Sequence, residues 1–124
     1  MKTKRQKLIK DLDTLWSKAV RERDGECLLC LKRDTLQAHH WIVPRARSLK
    51  HRWDIRNGTT LCYTCHMFKI HACSTLDNVE RLKEVALRRS VIDEKGIEEV
   101  KGWLGTTKYG IGDLERMIEE FENE

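Results

Sequence analysis

Two cysteine pairs, Cys27-Leu28-Leu29-Cys30 and Cys62-Tyr63-Thr64-Cys65, enclose a segment that contains the adjacent His39 and His40 and then Asn57. His66 follows the second pair directly, and His71 lies five residues further on. Cysteines three positions apart on a tight turn direct both sulfurs at one tetrahedral ion, and two such turns complete a four-thiolate site. The spacing therefore predicts a structural zinc at Cys27, Cys30, Cys62 and Cys65. A closed site has no free coordination position, so any chemistry falls to the histidines. An imidazole, with an unperturbed pKa of about 6.5, accepts a proton at neutral pH. A divalent ion held by only two or three side chains keeps positions open for phosphate and leaving oxygens. Those are the requirements of phosphodiester hydrolysis.

The elements that must position these residues are legible in part. Leu8, Ile9, Leu12, Leu15, Trp16 and Val20 recur at spacings of three and four, which predicts a helix over residues 5–23 ended by Gly25. Residues 35–43 are rich in β-branched and aromatic side chains and read as a strand that carries His39 and His40. Pro44 stops that strand and opens a basic loop with Arg45, Arg47, Lys50 and Arg52. A second extended segment at Thr59–Leu61 leads into the second cysteine knuckle, and the pattern turns helical from Tyr63 to Ile70. Further helices are expected over Leu76–Arg89, around Ile97, Val100, Trp103 and Leu104, and from an Asp113 cap to Phe121, with a loop over residues 105–112 between the last two. The expected fold class is α+β. A single domain over residues 1–124 would comprise a basic helix (1–24), a zinc-bound core (25–72) and a helical tail (73–124).

Composition bounds the function classes. The chain has 124 residues, 35% of them charged, and no apolar run near the roughly 20 residues of a membrane span. The basic N-terminus is not followed by an apolar signal core, so secretion is not expected. Without that context, paired cysteines favour metal thiolates over disulfides, and Cys73 is a left-over thiol. Residues 1–70 hold 16 Lys and Arg against 7 Asp and Glu, whereas residues 71–124 hold 8 against 13. A basic half around the candidate site suits a polyanionic partner, although a solvated surface accounts for the charge equally well. Trp16, Trp41, Trp53 and Trp103 are expected in the core, and His51 is expected as a solvated loop residue.

The order Cys27-x2-Cys30-x8-His39-His40-x16-Asn57-x4-Cys62-x2-Cys65-His66-x4-His71 resembles the HNH nucleases, whose fold is the ββα-metal unit, here with a four-cysteine zinc site. The resemblance covers residues 27–71. Ordinary zinc ribbons separate their knuckles by about 15–20 residues, while here residues 31–61 intervene, long enough to insert a histidine hairpin. By position, the resemblance implies that His39 and His66 bind a catalytic divalent ion, Mg2+ or Mn2+, with His71 as a further ligand or phosphate contact. It makes His40 the general base and gives Asn57 the task of holding the base-bearing loop and orienting the histidine. Arg45, Arg47, Lys50 and Arg52 would then contact DNA phosphates. The runs Leu36-Gln37-Ala38-His39-His40, Arg52-Trp53-Asp54-Ile55-Arg56-Asn57-Gly58 and Thr60-Leu61-Cys62 are similar to phage recombination nucleases of the Rap (NinG) type. That similarity implies branched recombination intermediates as substrate and the cytoplasm of a bacterial or phage-infected cell as location.

Two other classes stand beside a metal-dependent DNA endonuclease. One is a non-catalytic zinc-ribbon module that binds nucleic acid. The other is a protein-interaction zinc domain whose acidic helical tail docks a second copy or a partner protein. The His-His, Asn and His register favours the nuclease.

Overall fold

The computed structural model describes residues 2–45, 49–71, 76–102 and 108–123. Helix α1 spans Lys4–Asp24. Thr3 opens it by accepting from the Gln6 backbone N–H, while the Gln6 side chain accepts from Thr3 N–H, so two otherwise orphaned donors are satisfied. Gly25 closes it at φ 73°, a left-handed conformation that glycine adopts without a Cβ penalty. Leu12, Trp16 and Val20, each one turn apart, form its buried stripe.

Strand β1 (Leu36–His40) pairs antiparallel with β2 (Gly58–Cys62), with Leu36 opposite Cys62 and His40 opposite Gly58. The strand expected over residues 35–43 is therefore shorter at both ends. Trp41 N–H still reaches the Asn57 carbonyl, but Ile42 and Val43 N–H turn to the Asn57 side chain, so an amide takes over from the ladder. Between the strands, the basic loop contains a single helical turn, α2 (Leu49–Arg52), and a 3-10 turn at Ile55–Asn57 capped by Asp54. His51 is a correction to the sequence reading. It sits on α2 at 3% exposure, because that turn folds inward and its carbonyl accepts from the buried Asn57 amide.

After β2 the chain winds into a π-helix, Cys65–His71. Helices α3 (Leu76–Arg88), α4 (Glu94–Lys101) and α5 (Ile111–Glu122) follow. Val79 of α3 is exposed. The loop expected over residues 105–112 ends sooner, since Ile111 and Gly112 are helical. Gly110 occupies the N-cap of α5, and Asp113 caps from three residues inside by accepting from Gly110 N–H at 2.9 Å. Cys73, Trp103 and Leu104 lie outside the described residues.

Three small cores share the burial. One surrounds the cysteines with Leu28, Leu29, Leu61, Ile70 and Leu82. A second joins Leu12, Trp16 and Val20 of α1 to Trp53 and to Leu114, Met117, Ile118 and Phe121 of α5. The third sets Ile92, Ile97 and Val100 beneath Trp41, Ile42 and Val43. The apolar face of the last helix is thus spent inside the chain, on α1, rather than left open to a partner. The architecture is α+β, a two-stranded ribbon and a short helix on a helical frame, consistent with the ββα-metal fold.

Candidate metal centres and active-site cleft

The four knuckle cysteines are the group among the described residues whose ligand atoms converge as a metal site. Their sulfurs all lie within 4.8 Å of one another, and none is in a disulfide. Cys30 and Cys62 Sγ are 3.5 Å apart, close to the roughly 3.8 Å edge of a tetrahedron built with zinc–sulfur bonds of about 2.3 Å. The first knuckle is tied down by Cys27 N–H to Lys32 O and Leu31 N–H to Cys27 O, and Leu28 N–H joins it to β2 at Thr60 O. Burial opposes ionisation at Cys62, but the Cys65 backbone N–H and the neighbouring thiols overcome it and bring its pKa down to about 7. Cys65 is pushed the other way by burial and by the same thiols. The donor set, soft and closed, fits zinc.

Strand alternation divides the adjacent histidines. His39 and Gln37 share one face of β1, and His40 and Ala38 share the other. On the first face His39 meets His66 of the π-helix, ring centroids 4.9 Å apart and planes at 63°. Gln37 Oε1 lies 2.7 Å from His66 Nδ1. An amide oxygen only accepts, so Nδ1 carries the proton and the lone pair is left on Nε2. This is the outer-shell arrangement that sets the tautomer of a metal-binding histidine. Sequence reading passed over Gln37, although its position two residues before His39 already placed it on the same face.

The other face carries His40 toward α1. Its ring stacks on Trp16 with centroids 3.9 Å apart and planes 10° from parallel. His40 Nε2 donates to the Arg52 carbonyl at 2.8 Å, which leaves Nδ1 as the basic atom. Burial is the largest influence on its pKa and lowers it, against the opposing pull of the Arg52 carbonyl and Asp13. The ring is accordingly neutral at physiological pH. His39, His40 and His66 line one cleft of about 510 Å3, together with Asp13, Trp16, Ser17 and Arg45.

Asn57 is fully buried and uses all of its amide. Its Oδ1 accepts from Ile42 and Val43 N–H, and its Nδ2 donates to Val43 and His51 carbonyls. It therefore acts on the backbone at both ends of the loop, and the bond to the His40 ring comes from Arg52 instead. Arg52 itself departs from the phosphate-contact reading. Its guanidinium forms a two-pronged bridge to Asp13 at 2.9 and 2.6 Å, with Trp53 Nε1 also donating to Asp13 at 2.9 Å. Arg45 lines the cleft, Arg47 lies outside the described residues, and the Lys50 side chain is likewise outside them. The backbone of His71 is one π-turn beyond His66. The side chain of His71 lies outside the described residues.

The paired strands, the following helix and the convergence of histidines beside a four-cysteine centre define the ββα-metal class. The family model of HNH endonucleases matches residues 27–70, the segment that contains both cysteine pairs, His39, His40, Asn57 and His66. Over that segment the chain is similar to the HNH endonucleases. A search of curated proteins and a search of solved structures each found no match. No helix among the described residues is long and apolar enough to cross a membrane.

Proposed function

We propose that the protein is a metal-dependent DNA endonuclease that hydrolyses phosphodiester bonds with one catalytic divalent ion. The observation that carries this reading is the shared cleft of His39, His40 and His66, with the two outer imidazoles in contact and the middle one held in a base-competent tautomer. His39 and His66, the latter through Nε2, are the residues that would hold the ion, and His71 is the third candidate ligand. When bound, Mg2+ or Mn2+ would stabilise charge on the phosphoryl and leaving-group oxygens. His40 Nδ1 takes the proton of the attacking water, while Nε2 keeps its own proton, donated to the Arg52 carbonyl. Asn57 ties Ile42 and Val43 to His51, the neighbour of Arg52, which steadies that carbonyl. Arg45 at the cleft wall is suited to a flanking phosphate.

The experiment is cleavage of plasmid DNA by zinc-loaded protein with and without Mg2+ or Mn2+. Metal-dependent nicking or linearisation is expected. Tight DNA binding with no cleavage under any divalent ion would favour the non-catalytic nucleic-acid module instead. The finer substrate reading, branched recombination intermediates, is supported by the resemblance of the scaffold runs and by a cleft with little for base readout. Initial rates on four-way, flapped and linear DNAs of equal length test it, and equal rates would reject it.

A further inference from the structure

We infer that the N-terminal helix is part of the catalytic apparatus: Trp16 and Asp13 of α1 are positioning residues that lock the His40 ring in one orientation and one tautomer. The inference rests on the reading of His40 as general base. It concerns residues outside the segment matched by the HNH model, residues 27–70.

A histidine side chain at a strand end has two rotatable bonds, and fixing both requires constraints in and across the ring plane. The structure supplies one of each. Within the plane, Nε2–H is held by the Arg52 carbonyl at 2.8 Å. Across the plane, the Trp16 indole lies parallel to the imidazole at 3.9 Å. Each constraint is itself anchored. The indole cannot turn over, because Trp16 Nε1 donates to the Asp54 carbonyl at 2.9 Å and the ring is 3% exposed. The Arg52 backbone is held through its own guanidinium, which Asp13, one turn before Trp16, grips with both carboxylate oxygens. Asp13 also accepts from Trp53 Nε1, so the loop that presents the carbonyl is pinned at two consecutive residues.

The fit of α1 to the ribbon is equally close where it matters. Gly58 is the strand partner of His40, and a Cβ there would lie 2.5 Å from Val20 Cγ2 and 2.7 Å from Trp16 Cζ2. Any larger residue at Gly58 would push α1, and the indole with it, off the imidazole. Trp16 is thus more than a core aromatic. It packs with Leu12, Val20 and Leu114 and also lines the cleft. A misplacement of a reacting group by about 1 Å can cost about 100-fold in rate, so a ring free to rotate would be a poor base even with every motif residue present.

The test combines ring spectroscopy with kinetics, on the full-length zinc-loaded protein. Long-range 1H–15N correlation of the imidazoles should show His40 as a single Nε2–H tautomer. Its ring protons should be shifted upfield by the indole ring current. Trp16→Leu should remove the upfield shift, and Asp13→Asn should broaden or split the His40 signals. In cleavage assays both variants should lower kcat by about 10- to 100-fold with KM for DNA within about twofold of wild type, and Trp16→Phe should recover most of the loss of Trp16→Leu. Should Trp16→Leu fail to fold, judged by zinc content and circular dichroism, Asp13→Asn and Trp16→Phe carry the test. A mobile or mixed-tautomer His40 in the wild type, or full kcat in Asp13→Asn and Trp16→Leu, would overturn the inference. A locked ring in a wild-type protein that cuts no DNA would uphold the lock and remove the nuclease reading.

Discussion

Four hydrogen bonds converge on the single amide of Asn57, and they join the residues after β1 to the loop before β2. Asn57→Ala would leave two backbone donors and two carbonyls to find new partners in a buried place, at a cost of about 2–4 kcal/mol. A loss of unfolding free energy of that size, with zinc content retained, is the expected result of denaturant titration. At His66 the consequence should be different in kind. Gln37 holds its Nδ1 and the ring lies beside His39, so His66→Ala should weaken binding of Mn2+ by at least about 100-fold while the fold and the zinc persist. Calorimetric titration of Mn2+ into wild type and variant checks this. His39, His40, Asn57 and His66 were legible because their types and order are the motif. Asp13 and Trp16 were not, because their roles follow from which side chain lies opposite which, and no spacing in one chain records that for residues more than 20 positions apart; for Gln37 strand alternation gave the face but not the partner.

At the scale of elements, the helices with a strong apolar period were read nearly to their ends, since burial of one face dictates both period and length. The errors fell where a side chain replaces backbone pairing or where a single turn intervenes. Asn57 ends β1 early, α2 turns His51 inward, and the helix after β2 is a π-helix. Each is a local choice made by tertiary contacts. The bridge from α1 to the loop gives a prediction at this scale. Burial works to raise the Asp13 pKa, but hydrogen bonds from Arg52 and Trp53 and the Arg52 charge prevail and hold it below the usual carboxylate value. A carboxyl with a depressed folded pKa adds stability above its unfolded pKa of about 3.9 and loses it as pH falls from there through the folded value. The stability difference between wild type and Asp13→Asn should therefore be constant above about pH 5 and shrink below about pH 4. Both proteins release zinc in acid, so the comparison is made as a difference at each pH. A gap that widens in acid would contradict the assignment.

Over the whole molecule, the cysteine cluster lies at the centre of one of the hydrophobic cores among the described residues, so that core is built around the metal site. Chelation of the structural ion should unfold the protein cooperatively rather than merely silence it, with about one zinc released per chain. Loss of zinc with circular dichroism unchanged would contradict this. The charge asymmetry of the sequence also acquires a structural meaning. The acidic C-terminal part covers the back of α1 through Leu114 and Phe121, and α1 in turn backs the cleft through Trp16 and Asp13. The tail supports the site from behind and leaves the basic half to face a polyanion. The central claim is that this frame holds His40 as the base of a metal-dependent endonuclease. The most direct measurement is the single-turnover cleavage rate of His40→Ala beside wild type, at matched pH, DNA and saturating Mn2+. Cleavage should fall at least about 100-fold, with zinc content, thermal stability and DNA affinity unchanged; a variant that cuts at the wild-type rate would contradict the account.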